Sequence, residues 1–319
     1  MTKFAGRKGT LGLAIESTRG TAVNPTHFVP WATMSFRDTV EEAREEQAFG
    51  KIADSDSKFV VMKMGEGDIE AQLYDKALGV ILTGVLGAVP SSAGGGAPYT
   101  HTYTLSNTNQ HKSVSIYWSD PDRSDLYKLG MISSLGMSVE TSGIVNWTIG
   151  FMSKTADEWT TQTPDFTSIG SKFLHQHLSV KLATDTSGLA AATPISVKSL
   201  ELNINKNTSF DGVMGTVEPE DILNQQLSVE GSLNLNLEDD TYRDYMLNGT
   251  YRAMEIKLTN GTNSILTLQF PRVDFSGFEP DYSLNEIAKQ DITFKANYDA
   301  ANDADIISTC TLVNEEASY

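Results

Sequence analysis

Residues 65–84 read GEGDIEAQLYDKALGVILTG, and residues 229–249 read VEGSLNLNLEDDTYRDYMLNG. Each stretch opens with Glu-Gly, continues with alternating apolar and polar residues, and then changes at an Asp to apolar residues three and four positions apart. Alternation is typical of a half-buried strand, and the wider spacing after a capping Asp is typical of a helix. Each stretch therefore predicts a strand followed by a short helix, over residues 75–86 in one and 239–247 in the other.

The same alternation extends through most of the chain. Ser, Thr, Asn and Gly dominate the segments between the alternating runs, as turns require. The pattern predicts a mainly β protein. Its predicted strands include residues 102–106, 113–118, 136–140, 145–151, 178–182, 200–204, 233–237, 254–258, 265–270 and 291–296.

The matching order of strand, loop, strand and helix predicts an internal repeat. Gly67 aligns with Gly231 at a separation of 164 positions, and the same separation relates Pro30 to Pro194. The last strands, 146–151 and 291–296, align at 145 positions. The predicted organisation is an N-terminal arm (1–29), a first module (30–155), a connector (156–193), a second module (194–300) and a C-terminal tail (301–319).

Charge and composition limit the possible partners. The 319 residues carry 41 Asp and Glu against 24 Lys and Arg, for a net charge of −17, which opposes tight binding to phosphate backbones. The single cysteine, Cys310, allows no internal disulfide and fits synthesis in a reducing cytoplasm. The longest apolar run, 77–89, is too short to span a bilayer, and residues 1–16 lack a secretory apolar segment, so we expect no membrane insertion.

No residue pattern predicts an enzyme, a metal site or a cofactor. His175 and His177 share a face if they lie on a strand, but no third ligand completes a recognisable metal spacing. Residues 120–125 lack the Gly and Glu of a calcium loop, and the Gly run 94–96 lacks the residues of a phosphate-binding loop. We interpret these segments as turns and surface loops.

Three segments carry a resemblance to a known family. They are the opening GTLGLAIESTRGTAVNPTHFVPW (9–31), the strand and helix of GEGDIEAQLYDKALGVIL (65–82), and the closing FPRVDFSGFEPDYSLNEIAKQDITFKANYDA (270–300). The chain resembles the tail tube proteins, or major tail proteins, of long-tailed bacteriophages, and we expect a long, non-contractile tail of the siphovirus type. The resemblance implies modules of two packed antiparallel β-sheets with a short flanking helix. Such modules form six-membered rings whose inner strands close a barrel, and the rings stack into a DNA-conducting tube.

The predicted duplication gives this resemblance a specific consequence. If a ring needs six modules and each chain supplies two, three chains close it as a pseudo-hexameric homotrimer. Six chains would be needed if the halves are not true repeats. The resemblance also implies a virion location, contacts with tape measure, tail terminator and distal tail proteins, and DNA that passes without specific binding.

The polar faces of the two central strands are candidates for the tube lumen. Carboxylates there would repel the DNA backbone and keep the wall from binding it. The alternative is that these faces lie on the tube exterior. The candidate lumen residues are Asp68, Glu70, Gln72, Ser232, Asn234 and Asn236.

Two acidic segments lie in the long predicted loops 37–58 and 205–226. The resemblance implies that such a loop reaches the adjacent ring, and the alternative is a solvated loop. The candidate inter-ring residues are Glu41, Glu42, Glu45, Glu46, Glu218, Glu220 and Asp221.

The N-terminal arm has little charge and many small residues. We expect it to lie extended across a neighbouring subunit, the alternative being a disordered terminus. Its candidate docking residues are Leu11, Leu13, Ile15, Val23 and Phe28.

A structural subunit is therefore the leading hypothesis, with two other function classes behind it. One is a virion-surface or adhesion β protein that binds a host receptor, which would not polymerise. The other is a β-sheet enzyme that acts on carbohydrate.

Overall fold

The computed structural model describes residues 3–52, 54, 57–167 and 169–319. Within them the chain forms antiparallel strands, two α-helices and three single-turn 3-10 helices at Gly6–Lys8, His175–His177 and Thr186–Gly188. The helices are α1 (Asp75–Leu86) and α2 (Thr241–Asn248). The strands are β1 (Thr10–Ile15), β2 (His27–Val29), β3 (Trp31–Met34), β4 (Arg37–Arg44), β5 (Lys58–Ala71), β6 (Ser91–Ala93), β7 (Tyr99–Tyr103), β8 (Val114–Ser119), β9 (Ser124–Glu140), β10 (Asn146–Ser153), β11 (Ala156–Glu158), β12 (Leu178–Ala183), β13 (Val197–Asn205), β14 (Ser209–Asp211), β15 (Asp221–Leu223), β16 (Ser228–Asn236), β17 (Arg252–Asn260), β18 (Ser264–Asp281), β19 (Lys289–Ala296) and β20 (Thr309–Asn314).

Both predicted helices are confirmed to within two residues. α1 is apolar on all sides and is buried along most of its length, as a helix of that composition must be. It ends at Gly87, whose φ of 83° is the left-handed conformation that glycine adopts most easily. α2 lies closer to the surface and packs Tyr242 and Tyr245 against Phe275 of β18. It ends in the same way at Gly249, with a φ of 59°.

Eight neighbouring strand positions form what we call the main sheet. Its order is β3 with β4, then β5, β10, β9, β13, β16, β19 and β18, all antiparallel. The pairing of β9 with β13 joins the first half of the chain to the second. Along β5 and β16 the alternate side chains of Ile69, Ala71, Leu233 and Leu235 are buried, as the sequence pattern predicts.

A second layer packs on the apolar side of the main sheet. In the first half β2, β1 and β8 pair in that order, and β8 pairs with the beginning of β9. In the second half β12 pairs with β17, and β17 pairs with the beginning of β18. The long strands β9 and β18 therefore belong to both layers, which share one apolar core. The prediction of a mainly β fold with packed antiparallel layers and short helices is confirmed.

The same pairing order occurs in both halves. In the first half the strands pair in the order β1, β8, β9, β10 and β5, and in the second half they pair in the order β12, β17, β18, β19 and β16. The helix of each half follows the last strand of this order, α1 after β5 and α2 after β16. β13 occupies the position of β3 and β4.

Three β-bulges recur at corresponding positions. Ser133 of β9 is the extra residue opposite β10, and Ser276 of β18 is the extra residue opposite β19. The second pair of bulges lies between Val114 and Ile116 and between Arg252 and Met254; the third lies between Trp31 and Thr33 and between Val197 and Ser199. A bulge is a specific device of strand pairing that tends to persist within a family, so its threefold recurrence fixes which residues correspond.

These registers refine the predicted repeat. Gly67 lies opposite Phe151 on β10, and Gly231 lies opposite Phe294 on β19. The predicted separation of 164 positions between the two glycines therefore agrees with the strand pairing. Phe151 and Phe294 are 143 positions apart, and the predicted 145 for the last strands is wrong by two. Trp31 and Val197 correspond at 166 positions, so the alignment of Pro30 with Pro194 is also displaced by two.

The segments predicted to lie outside the modules contain paired strands. β1 of the predicted arm pairs with β8, and β12 of the predicted connector pairs with β17. β20 of the predicted tail pairs with both β18 and β7 and so ties the two halves together. The pairing differs from the predicted boundaries because each of these strands supplies apolar side chains to the core.

Candidate assembly surface

The residues predicted for the lumen lie on the polar face of the main sheet or at its margin. Asp68 and Glu70 are exposed, and Ser232, Asn234 and Asn236 are half-buried between neighbouring polar side chains. Asn234 donates a hydrogen bond of 2.7 Å to Asp291 on β19. The remaining candidate, Gln72, lies just beyond β5 and accepts a hydrogen bond of 3.2 Å from the Lys172 ammonium. Pairing through β10, β9 and β13 makes this face continuous from β5 to β16.

Carboxylates outnumber cations on this polar face. Lys295 pairs with Glu230 at 2.6 Å, and that hydrogen bond raises the pKa of Lys295. Most of the other carboxylates have no cation within ion-pair distance among the residues that the structure describes, so the face presents negative charge. The carboxylates at its paired positions are Glu66, Asp68, Glu70, Glu140, Glu201, Glu230, Asp274, Glu279, Asp281 and Asp291, and the cations are Arg37, Lys289 and Lys295.

The first long loop is in fact a β-hairpin. Glu41 and Glu42 lie on β4, and Glu45 and Glu46 follow it. Glu42 accepts a hydrogen bond of 2.6 Å from Lys58 across the hairpin, which lowers the pKa of Glu42. The prediction of a loop over 37–58 is therefore wrong for β4, because the alternation of residues 37–44 pairs with β5. Of the predicted loop, residues 53, 55 and 56 lie outside the described residues.

This hairpin exposes apolar side chains on both faces. Phe59 and Val60 are neighbours on β5, so their side chains point to opposite sides, yet they are 56% and 38% exposed. Val40 and Val61 are exposed as well. Exposed apolar side chains grouped on one element are typical of an interaction surface.

The second long loop folds back on the first half of the same chain. β14 and β15 pair with each other, and the Asp221 carboxylate of β15 forms an ion pair with Arg19 and accepts a hydrogen bond of 2.6 Å from Gln110. Burial raises the pKa of Asp221, but its hydrogen bonds with Arg19, the Ile222 amide and Gln110 outweigh burial and lower it.

The inter-ring contact of this loop stays a prediction, but two of its carboxylates already have partners in their own chain. Asp221 and Glu218 are engaged by their own chain, Glu218 as the acceptor of a hydrogen bond from Thr155, whereas Glu220 is exposed. The loop also reaches β5, where the Lys63 amide donates to the Val217 carbonyl at 2.7 Å. Sequence reasoning missed this docking because its partners are 63 to 202 positions away along the chain.

A buried polar cluster lies behind the docked loop. Lys206 is 1% exposed and donates a hydrogen bond of 2.7 Å to the Gly84 carbonyl of α1. Burial, assisted by the nearby Arg19, lowers the pKa of Lys206 to about 7. Burial and the Lys206 charge likewise lower the pKa of His111 to about 4. In the sequence Lys206 resembles any loop lysine, and nothing there indicated its burial.

The predicted docking residues of the arm are packed in their own chain. Leu11 and Leu13 are fully buried in β1, which pairs with β2 and β8. Ile15, Val23 and Phe28 are half-buried, and Phe28 packs edge-on against Tyr117. Within the single chain the alternation of residues 10–15 finds its partner in β8, and docking of the arm across a neighbouring subunit stays a prediction.

Two strand edges of the main sheet are open in the described part of the chain. At one end, β3 and β4 pair only with β5. At the other end, residues 277–281 of β18 pair with β19 on one side, whereas β17 and β20 pair only with earlier residues of β18. An open edge presents unpaired backbone N–H and C=O groups to another strand.

The described residues contain no cluster of three His, Cys, Asp or Glu side chains suited to a metal ion. His175 and His177 lie in a 3-10 turn instead of a strand. Asp120 accepts hydrogen bonds from the amides of Asp122 and Arg123, so this segment is a tight turn. None of the helices in the described ranges has the length and apolar character needed to cross a membrane.

A family model for phage tail tube proteins matches residues 6–307, nearly the whole chain. No curated protein matches the chain.

Proposed function

Because this chain belongs to the phage tail tube protein family, we propose that it is the structural subunit of stacked rings that form the tube of a long, non-contractile phage tail. Family membership makes it a virion protein that assembles with copies of itself. The finer proposal is that three chains form each ring and that the genome passes through the channel during ejection.

The recurrence of one pairing order with three matching bulges carries this proposal. It supports two equivalent modules per chain, joined within the main sheet by the pairing of β9 with β13. A ring built by repeating that junction places six modules around the axis with three chains. Such a ring would leave no open edge in the main sheet.

We propose that the polar face of the main sheet lines the channel. The opposite face is covered by the second layer, so within one chain only the polar face is free to meet a channel. Its excess of carboxylates opposes binding of the DNA backbone, which a conduit requires. Asp68 and Glu70, which are exposed and unpaired with any cation among the described residues, would contribute directly.

We propose that the β4–β5 hairpin contacts the adjacent ring. Its apolar side chains are exposed on both faces, and Glu41 and Glu46 remain free of ion pairs with described residues. The tape measure, tail terminator and distal tail proteins are the expected further partners of the finished tube.

Electron microscopy of the purified protein at high concentration tests the proposal. We expect rings or short tubes whose end-on averages show threefold symmetry with an approximate sixfold repeat. True sixfold symmetry would keep the tube and contradict the two-module ring. Compact single chains, even with tail-tip complexes added as seeds, would contradict the tube and favour a receptor-binding β protein.

A further inference from the structure

The junction inside the chain gives the geometry of a junction between chains. At the internal junction β9 and β13 are antiparallel, with Gly136 opposite Asn203, Ser138 opposite Glu201 and Glu140 opposite Ser199. Both strands use the edge that lies away from their own module. The same two edges, on β18 and on β3 with β4, are the open ones at the ends of the main sheet.

The recurring bulges transfer the register residue by residue. Residues of β9 correspond to residues of β18 at 143 positions, since Ser134 and Gly277 each follow the extra serine of their bulge. Residues of β13 correspond to residues of β3 and β4 at 166 positions, since Thr33 and Ser199 each follow their bulge. The internal pairs therefore map onto pairs between two chains.

We infer that β18 of one copy pairs antiparallel with β3 and β4 of the next copy, with Glu279 opposite Arg37, Asp281 opposite Ser35 and Ser283 opposite Thr33. This inference rests on the proposed function, and it names the residues that join neighbouring subunits. The occupant of each open edge is thus a second copy of this chain.

The chemistry of the two edges fits this register. Glu279 and Arg37 are both exposed in the single chain, and the pairing sets opposite charges directly across from each other. On the other face Pro280 falls opposite Phe36, and Tyr282 opposite Met34. Pro280 has no N–H to donate and is a residue that commonly marks an edge strand within a single chain.

An exposed apolar group continues from the same edge. Tyr282, Leu284 and Ile287, in the turn after β18, are 73%, 91% and 73% exposed. At the internal junction Val139, which corresponds to Tyr282, is buried. A second copy seated on β18 would cover Tyr282 in the same way.

Disulfide cross-linking tests the register, because directly opposed strand residues lie within reach of a disulfide. The test variant is Ser35→Cys with Asp281→Cys, and the matched control is the corresponding internal pair, Ser138→Cys with Glu201→Cys. The native Cys310 is buried and stays in place. Mild oxidation should link the test variant into covalent multimers that stop at the size of one ring, and should bridge the control within a single chain.

A shifted pair, Arg37→Cys with Asp281→Cys, checks the alignment. A displacement of two residues separates the Cα atoms to about 8 Å, beyond the reach of a disulfide, so its yield should be lower by at least about tenfold. An equal or higher yield from the shifted pair would overturn the register. The register would also be overturned if rings were visible by microscopy and the control formed its internal bridge, but the test variant formed no bridge between chains.

Charge exchange gives an independent measurement. Arg37→Glu and Glu279→Arg should each slow ring formation by about tenfold with an unchanged melting temperature, and the double exchange should restore it. Failure of the double exchange to recover assembly would overturn the direct opposition of these two residues. Absence of rings for the unmodified protein, with the internal control bridged normally, would overturn the proposed function as well as the register.

Discussion

Gly79, in the middle of α1, shows how a single missing side chain accommodates a distant part of the chain. A Cβ at this position would collide with the ring of Tyr319, whose hydroxyl donates to the Lys76 carbonyl at 2.8 Å. A glycine inside a helix costs stability relative to alanine, by about 0.5–1 kcal/mol. The contact with Tyr319 explains why the smaller residue is present.

We expect Gly79→Ala to lower the free energy of unfolding by about 1–3 kcal/mol, because the added methyl displaces the Tyr319 ring. In a Tyr319→Ala background the same change should stabilise the helix by about 0.5–1 kcal/mol. Chemical denaturation of the four proteins of this cycle measures both effects. Destabilisation of equal size in both backgrounds would show that Tyr319 is not the cause.

At the scale of elements, the buried polar cluster behind the docked loop between β13 and β16 makes stability depend on pH, through His111. The pKa of His111 is lowered by burial to about 4, whereas an unfolded chain titrates near its ordinary value of 6.5. Between these values the unfolded state binds more protons, so the contribution of His111 to stability is complete above about pH 6.5 and is lost as the pH is lowered toward 4.

We therefore expect the free energy of unfolding to fall by about 1–3 kcal/mol between pH 7 and pH 4.5 through His111. His111→Gln should reduce this dependence, and His175→Gln, at an exposed position, should leave it unchanged. Denaturant titrations across this pH range provide the measurement. An identical pH dependence in His111→Gln would assign the effect to other groups.

The helices and strands also differ in how well they could be predicted from the sequence. Helix α1 and strands such as β16 and β19 could be predicted because their patterns are local. The placement of β1 could not, since whether residues 10–15 form an arm or a core strand depends on β8, a hundred positions away. The repeat was displaced by two positions in β10 and β19 because a shift of two residues leaves the alternation of polar and apolar side chains unchanged.

The candidate surface could likewise be predicted only in part from the sequence. Asp68 and Glu70 could be assigned to a polar face from alternation alone, whereas Asp221 belongs to an internal ion pair with Arg19 that depends on tertiary docking. The open edges could not be recognised from the sequence, because openness is a property of the whole pairing order.

For the whole molecule, the proposed conduit depends on net negative charge across the main sheet. We expect Asp68→Lys with Glu70→Lys to leave folding and tube assembly largely intact, since both side chains are exposed, and to impair DNA delivery by retaining phosphates at the wall. The measurements are tube length by electron microscopy and infectivity of the assembled particles.

The matched control changes the same charges elsewhere, as Asp122→Lys with Glu158→Lys, two exposed residues outside the main sheet. Normal infectivity is expected there. Failure of Asp68→Lys with Glu70→Lys to assemble, with the chain still folded, would place these residues at a subunit contact instead of the channel.

The two halves share a pairing order but carry different insertions: an extended hairpin in the first and a small sheet docked on its own chain in the second. In a three-chain ring the projecting hairpins would then occupy alternate positions. Successive rings could lock together only after rotations of one third of a turn, where a ring of identical modules would accept one sixth. Duplication followed by divergence would thus halve the number of orientations in which one ring can stack on the next, from six to three. The tube would thereby have a defined helical phase.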